Sequence, residues 1–346
     1  MLKKILVSLL AAVILAVVGL GLLFRKEIQT LIAVKKVDDY GFYEMNFKAD
    51  YGFDKFLETG VNNDQELVEY VSKQLLKGIP LAIDIPDLGC STFNAINEKG
   101  DPIFGRNFDL GFSPSVLVRT APETGYKSIS MVNLEFLGYG ENALDKISDR
   151  LFSLAAPYIP LDGVNEKGVA MGILLLHDAP TNQQTEKVDI TSTTAIRLVL
   201  DKAANVDEAI ELLKKYDMHD SAGVAYHYQI TDASGKTVIV EYINNKMTIL
   251  TPEDKYFGAT NFYLTPGKKF NQGKGQDRYK KIMTTLKDKK GQLELADSMN
   301  LLKAVSTNKQ EEDDATQWSG VYNNKKQTLD VAIGRQYNKI HHFSVE

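Results

Sequence analysis

The spacing of apolar residues before position 90 predicts one helix followed by one strand. An apolar stripe at helical spacing covers residues 67–75. Asn63 and Glu66 stand at capping-box spacing just before this stripe, and Gly78 follows it as a stop signal. Residues 81–85 then alternate between apolar and polar, which is typical of a strand running toward position 90.

Beyond position 90, alternating runs joined by short turns predict β-hairpins. The predicted hairpins are residues 91–108 with a turn at 98–101, residues 224–250 with a turn at 232–235, and residues 316–334 with a turn at 323–326. Helices are predicted at 194–203, 205–215 and 276–286, and a strand is predicted to run into 258–262. The first hairpin matters most because it carries the candidate chemistry.

The N-terminus contains a long uncharged apolar run at residues 5–24. A run of about 20 apolar residues is long enough to cross the ~30 Å hydrocarbon core of a membrane as a helix. A cleavable signal peptide usually has a shorter apolar stretch. We therefore favour an uncleaved single-pass anchor over residues 1–26 in the cell membrane, with the rest of the chain extracytoplasmic. Residues 27–89 are interpreted as a pro-segment or upstream subunit, and residues 90–346 as the main domain.

Composition excludes some partners and leaves others open. The net charge is −5, and without a basic stripe we expect no nucleic-acid partner. The five histidines show no metal-ligand spacing, and we predict no metal and no cofactor. A homo-oligomer remains possible. Cys90 is the single cysteine, so an internal disulfide is impossible.

The predicted hairpin brings Arg106 and Asp109 close to Cys90, although they are distant in sequence. A guanidinium beside a sulfur favours the nucleophilic thiolate. If Cys90 were the first residue of a mature chain, its α-amino group, with a reference pKa of about 7.7–8.0, could act as the base. The alternative is a buried, inert Cys90 beside an exposed Arg106–Asp109 ion pair of little energetic value.

The segment from Cys90 to Phe-Gly-Arg-Asn-Phe-Asp (residues 104–109) resembles the choloylglycine hydrolase family, which includes bile salt hydrolases and penicillin V acylases. It is also similar to related acyl-transferring and acid-ceramidase-like amidases. The resemblance implies an α+β fold, the four-layer αββα sandwich of N-terminal-nucleophile hydrolases. It also implies that Cys90 is the nucleophile, that Arg106 lies beside it and that Asp109 binds its α-amine. Because 89 residues precede Cys90, the chain resembles the family members that cut their own chain before the cysteine, and Gly89 suits such a cut.

The resemblance continues downstream. The Thr-Asn pair at residues 260–261 implies that the Asn261 amide stabilises an oxyanion, and Arg278 matches an arginine at the start of a helix near the active site. Asn165 is expected to have a structural role in a turn, and the backbone N–H of Leu175 is a second candidate oxyanion donor. Asn261 as a strand-ending turn residue and Arg278 as a solvated helix residue are the alternatives.

Together, these features predict a cysteine-nucleophile hydrolase of a linear non-peptide amide C–N bond that works through a thioester. The expected partner is a small amide of the bile-salt, penicillin V or N-acyl amine type, and sequence does not rank these. An acyltransferase on the same scaffold and a non-catalytic, membrane-tethered binding domain are the alternatives.

Overall fold

The structure is a computed structural model, and it describes residues 6, 19, 21–82, 89–267, 269–308 and 315–346. Two large β-sheets and several helices make up these parts of the chain. The α-helices of these parts are α1 (Arg25–Ile32), α2 (Phe53–Thr59), α3 (Asp64–Leu75), α4 (Ser192–Lys202), α5 (Val206–Leu213), α6 (Gln276–Asp288) and α7 (Leu295–Ala304). Short 3₁₀ helices lie at Leu134–Leu137, Ile147–Asp149, Leu151–Tyr158 and Ser221–Gly223.

The larger sheet has nine strands, in the order β1-β2-β5-β6-β7-β8-β11-β12-β13. Its strands are β1 (Lys35–Asp38), β2 (Phe42–Asn46), β5 (Ser115–Thr120), β6 (Ser128–Asn133), β7 (Asp162–Asn165), β8 (Ala170–Leu176), β11 (Ala225–Thr231), β12 (Thr237–Ile243) and β13 (Lys246–Leu250). Neighbours are antiparallel except β2 and β5, which are parallel. A separate parallel pair joins β9 (Val188–Thr191) to β10 (Tyr216–His219).

The smaller sheet has six strands, in the order β14-β3-β4-β15-β16-β17. Its strands are β3 (Gly89–Ile96), β4 (Pro102–Leu110), β14 (Phe257–Ala259), β15 (Ala315–Asn323), β16 (Thr328–Ile333) and β17 (Ile340–Ser344). Every pairing in this sheet is antiparallel. The two strands of the first predicted hairpin, β3 and β4, therefore lie inside the sheet and not at its edge.

The sheets and helices stack in four layers. Strand β3 contacts β8 and β11, so the six-stranded sheet packs face to face on the nine-stranded sheet. Helices α4 and α5 cover the outer face of the larger sheet, and α6 and α7 cover the smaller one. The predicted α+β sandwich is therefore found in the described residues.

The local elements follow the sequence patterns. Helix α3 begins after Asn63, whose side chain accepts a hydrogen bond from the Glu66 N–H, as the capping pattern predicts. The hairpins at β3–β4, β11–β12 and β15–β16 and the helices α4, α5 and α6 also match. Residues 83–88, which include most of the strand predicted before position 90, lie outside the described residues.

The prediction of a single-pass membrane helix at residues 1–26, and with it a cell-membrane location, is wrong by this structure. In the described part of the chain no helix is both long enough and apolar enough to span a bilayer. Helix α1 has 8 residues and contains several charged side chains, so at 1.5 Å per residue it extends about 12 Å. Apart from residues 6, 19 and 21–24, the apolar run at 5–24 lies outside the described residues.

Residues upstream of Cys90 are an integral part of the sandwich. Strand β2 pairs along its length with β5, and the Tyr51 hydroxyl donates to the Asp201 carboxylate at 2.8 Å. Glu44 and Arg119 form an ion pair at 2.7 Å between the same two strands. The domain boundary at residue 90 stays a prediction.

Candidate active site

Strands β3 and β4 position the first group of site residues. In their antiparallel ladder Gly89 is paired with Asp109, Cys90 with Phe108 and Thr92 with Arg106. Cys90 and Thr92 lie on the same face because successive side chains of a strand alternate. The Arg106 side chain therefore shares its face with the Cys90 sulfur, whereas Asp109 projects from the opposite face.

The Cys90 sulfur is fully buried in the continuous chain. Burial raises the pKa of the Cys90 thiol, the Arg106 guanidinium opposes that rise, and Asp109 adds to it. The reciprocal effect is visible on Arg106: burial alone lowers the pKa of the guanidinium, but Cys90 and Asp162 outweigh burial and the pKa is raised. The sulfur and the guanidinium are therefore electrostatically coupled.

A buried carboxylate holds Arg106 from the other side. The Arg106 Nε lies 3.3 Å from Asp162 Oδ2, with both side chains inaccessible to solvent. Asp162 also accepts hydrogen bonds from the Trp318 indole at 3.0 Å and from the Tyr322 hydroxyl. Burial raises the pKa of Asp162, and Arg106, Tyr322 and Trp318 limit that rise. Among the described residues, the two terminal nitrogens of Arg106 have no hydrogen-bond partner.

Asp109 lies against the helical layer, beside the backbone of Cys90. Its Oδ2 receives a hydrogen bond from Arg278 Nη1 at 2.8 Å, and its Oδ1 receives one from the Thr316 hydroxyl at 2.6 Å. A Cβ on Gly89 would be 2.9 Å from the Asp109 Cβ and 3.2 Å from its Oδ2. A glycine at position 89 thus lets the carboxylate lie close to the Gly89–Cys90 peptide.

Asn261 and Arg278 complete the group around the Cys90 backbone. The Asn261 Oδ1 accepts from the Cys90 N–H at 2.8 Å and from Arg278 Nη2 at 2.9 Å. Arg278 Nη1 also donates to the Cys90 carbonyl at 3.1 Å. The Asn261 Nδ2 donates to the Leu175 carbonyl at 2.9 Å, which ties the site to strand β8.

The structure brings all five candidate residues together, in two groups. Arg106 is near the sulfur, while Asp109, Asn261 and Arg278 surround the Cys90 backbone. An exposed Arg106–Asp109 ion pair is not formed, because both residues are buried and each has a different ionic partner. Arg278 is not a solvated helix residue either, since its side chain is only 14% exposed. Their catalytic roles stay predictions.

Two other predicted positions have structural contacts. Asn165 accepts from the Lys167 and Val169 N–H groups and donates to the Leu200 and Ala203 carbonyls, which confirms its structural role in the turn. Leu175 contacts Asn261 through its carbonyl.

Sequence reasoning missed Asp162 and Thr316, which hold Arg106 and Asp109. Asp162 begins a short strand, and Thr316 is the second residue of the first strand of the last hairpin. No local pattern joins them to the first hairpin, because Asp162 is 56 positions from Arg106 and Thr316 is 207 positions from Asp109. The one available signal was at Thr316, a polar residue at the start of the predicted hairpin at 316–334.

The chain is similar to several known proteins. A family model described as acyl-coenzyme A:6-aminopenicillanic acid acyl-transferase matches residues 148–338. The penicillin V acylase of Pectobacterium atrosepticum is 35% identical over 99 residues, which are 25% of this chain and 26% of that protein. The chain therefore matches about a quarter of the length of this curated relative.

The fold is similar to that of solved structures. A mutant conjugated bile acid hydrolase from Clostridium perfringens superposes with a TM-score of 0.54 at 16% identity, over 74% of this chain and 92% of that chain. A second variant of the same hydrolase gives a TM-score of 0.53 with the same identity and coverage. At this identity the likeness concerns the fold alone.

The family relationship predicted from the Cys90 segment is confirmed by these matches, and the matched relatives are enzymes by name. The family model covers residues 148–338, which is more than half of the 346 residues. The chain therefore belongs to the acyl-coenzyme A:6-aminopenicillanic acid acyl-transferase family.

Proposed function

We propose that this protein is an amide hydrolase that cleaves a linear, non-peptide C–N bond with Cys90 as its nucleophile. The observation that carries the proposal is the convergence of Asp109, Asn261 and Arg278 on the backbone of the same cysteine whose sulfur is coupled to Arg106. A merely structural cysteine needs no carboxylate and guanidinium at its own main chain. Relatives whose names describe an acylase and a conjugated bile acid hydrolase support the same reaction class.

The first step of the proposal is a self-cleavage between Gly89 and Cys90. The Cys90 thiol adds to the Gly89 carbonyl, its proton passes to the departing Cys90 nitrogen as the peptide C–N bond breaks, and water hydrolyses the resulting thioester. The products are a carboxylate on Gly89 and a free α-amine on Cys90. Asp109 lies against this peptide, and Asn261 Oδ1 already accepts from the Cys90 nitrogen at 2.8 Å. Both groups would hold the new ammonium form of the amine.

The cut also offers a reason for the burial of the sulfur. In the continuous chain the thiol is inaccessible and burial raises its pKa, so its proton is retained. Cleavage would place the residue's own amine beside the sulfur, and an α-amine has a reference pKa of about 7.7–8.0. Proton transfer from sulfur to nitrogen then produces the thiolate near neutral pH, assisted by the Arg106 cation.

Substrate turnover follows the same proton path. The thiolate attacks the amide carbonyl, and the oxyanion that forms accepts a hydrogen bond from Asn261, a donor typically worth about 3 kcal/mol in the transition state. The α-ammonium gives its proton to the leaving amine, and a thioester remains. Water attacks the thioester, its proton returns to the α-amine, and the acid leaves with the thiol regenerated.

A second candidate function is acyl transfer, in which an amine replaces water at the thioester. The description of the matching family as an acyl-transferase favours it. The same residues serve both reactions, because hydrolysis and acyl transfer differ only in the molecule that accepts the acyl group. The fate of the acyl group in the presence of a competing amine distinguishes the two.

The test is turnover of penicillin V, a glycine-conjugated bile acid, an N-acyl amine and an acyl-homoserine lactone by wild type and Cys90→Ala, together with intact-mass analysis. We expect at least one amide to be hydrolysed, with a loss of at least about 1,000-fold in Cys90→Ala. We also expect a wild-type fragment that begins at Cys90 and an uncut variant. A Cys90→Ala protein with wild-type turnover would refute the nucleophile, and an active full-length wild type would refute the cut.

A further inference from the structure

A buried histidine and glutamate lie next to the site without belonging to it. His227 on β11 and Glu241 on β12 are fully buried, and their Nδ1 and Oε1 atoms are 3.1 Å apart. They are one residue beyond the Tyr228–Val240 pair of the β11–β12 ladder, which places them side by side. None of the five candidate residues contacts this pair directly in the described hydrogen bonds, and the proposed reaction does not use it.

The partner at Nε2 defines which nitrogen of the His227 ring donates. His227 Nε2 lies 2.7 Å from the Thr260 carbonyl oxygen, which can only accept, so Nε2 carries a hydrogen. The Glu241 carboxylate accepts from the Leu264 N–H at 2.8 Å and from the Thr265 N–H at 2.9 Å. The Glu241 carboxylate is therefore an acceptor at both N–H groups, and its Oε1 faces His227 Nδ1 at 3.1 Å. Burial raises the pKa of Glu241, but His227 and the Leu264 N–H outweigh it, and the pKa is lowered.

The contact of His227 is one peptide unit away from the proposed oxyanion donor. Thr260 directly precedes Asn261, and its hydroxyl donates to the Gly275 carbonyl at 2.9 Å. Gly275 is the N-cap of α6, the helix that carries Arg278. Its φ is +87°, and a Cβ there would be 2.9 Å from Arg278 Nη2, so glycine is required for this close approach. Thr260 thus links His227 to Asn261 through its peptide and to the start of α6 through its hydroxyl.

We propose that His227, held by Glu241, is a positioning residue that fixes Asn261 and the start of α6 through the Thr260 carbonyl. The expected effect on catalysis rests on the proposed function. The positioning of Asn261 by His227 does not depend on it. The nine-stranded sheet supplies the His–Glu pair, and the six-stranded sheet supplies the nucleophile. Asn261 follows β14 of the six-stranded sheet, so the pair on the larger sheet holds the oxyanion donor beside the nucleophile from across the sandwich.

The test compares two double variants that differ by one hydrogen-bond donor. His227→Leu with Glu241→Gln removes the donor to Thr260 and leaves no unpaired charge, whereas His227→Gln with Glu241→Gln keeps an amide donor. Arg197→Met with Asp201→Asn is the matched control, because it removes a buried ion pair of 3.0 Å on helix α4. The readouts are kcat, KM, and hydrogen exchange of the Asn261 side-chain amide measured by NMR.

In the leucine variant we expect kcat to fall about 10- to 100-fold with KM within threefold, and Asn261 exchange to rise about tenfold. In the glutamine variant, kcat and the Asn261 exchange rate should return most of the way to the wild-type values. In the control variant, neither kcat nor the exchange rate should change by more than twofold. If wild type hydrolyses an amide and the leucine and control variants have the same kcat or the same Asn261 exchange rate, the inference is wrong. If wild type hydrolyses none of the amides, the proposed function fails, and Asn261 exchange alone decides the positioning.

A measurement on wild type tests the inference even if the variants fail to fold. Nitrogen-15 NMR of the histidine rings should show a hydrogen on His227 Nε2 in the full chain. An unprotonated Nε2 would overturn the inference, because the Thr260 carbonyl would then have no donor.

Discussion

At the scale of single residues, the function of a buried polar group depends on partners that are remote in sequence. Cys90, Arg106 and Asp109 could be predicted to meet because one hairpin carries all three. Asp162 and His227 could not, because each acts on the site from the other sheet. A single sequence holds no local periodicity that relates such positions. Asn261 and Arg278 were identified only through a family resemblance, and their contacts with the Cys90 backbone support that assignment.

Asp220 illustrates how burial changes stability with pH. It is fully buried, accepts from the Thr181 N–H at 2.8 Å and from the Ser192 hydroxyl at 2.9 Å, and burial raises its pKa to about 6. The folded protein therefore binds this proton more tightly than the unfolded chain, whose Asp has its ordinary pKa of 3.8. This contribution to stability is complete below pH ~4 and is lost as pH rises through ~6.

We predict that Asp220→Asn lacks this component. The wild-type free energy of unfolding should lose up to about 3 kcal/mol between pH ~4 and pH ~7 through Asp220. Urea unfolding of both proteins across that range measures the difference. Asp207→Asn, at a carboxylate that is 72% exposed, is the surface control and should follow wild type. Parallel pH profiles for wild type and Asp220→Asn would contradict the prediction.

At the scale of elements, the β3–β4 hairpin is determined by local sequence, and its position in the sheet is not. Alternation and a glycine-containing turn were sufficient to predict both arms. They were not sufficient to show that β14 and β15 flank the hairpin, since those pairings join residues more than 150 positions apart. The prediction of a membrane-spanning helix was an error of the opposite kind. The length of the apolar run alone was taken as sufficient evidence for a membrane span.

The glycine before Arg106 has a packing role within this hairpin. Gly105 is paired with Phe93, and the Phe93 ring covers it so closely that a Cβ on Gly105 would be 2.4 Å from two ring carbons. Any side chain must displace the ring from the core cluster beneath α6 and α7. The Phe-Gly-Arg-Asn segment thus needs its glycine for packing as much as its arginine for charge.

We predict that Gly105→Ala lowers the free energy of unfolding by about 1–3 kcal/mol, as overpacking typically does. Gly111→Ala is the matched control, because a Cβ at that position meets nothing within 4 Å. Urea denaturation of the two variants and wild type measures the effect. Equal stabilities of the Gly105 and Gly111 variants would show that the Phe93 ring moves without cost.

At the scale of the whole molecule, the chain before Cys90 and the chain after it form one sandwich. They share the β2–β5 pairing, the Glu44–Arg119 ion pair and the Tyr51–Asp201 hydrogen bond. Phe42, Tyr51 and Phe56 from the upstream part belong to the main hydrophobic cluster. The sequence predicted a helix in the upstream part, but gave no sign that this part contributes β1 and β2 to the larger sheet.

We predict that a chain cut between residues 82 and 89 remains one particle. A site for a sequence-specific protease is placed there and cut after folding, and the product is analysed by size-exclusion chromatography at micromolar concentration. Both pieces should elute together without denaturant and separately in guanidinium chloride. Release of the upstream piece under native conditions would contradict the prediction.

Strands β2 and β5 pair across the proposed cut, one on each side of it. A break in the backbone between them therefore changes the reaction order of folding. A continuous chain regains this pairing in a first-order process, whatever its concentration. Two separated pieces must first collide, so their recovery slows on dilution. At high dilution the lifetime of a cut molecule would then be set by its rate of opening, which is a kinetic property rather than an equilibrium one.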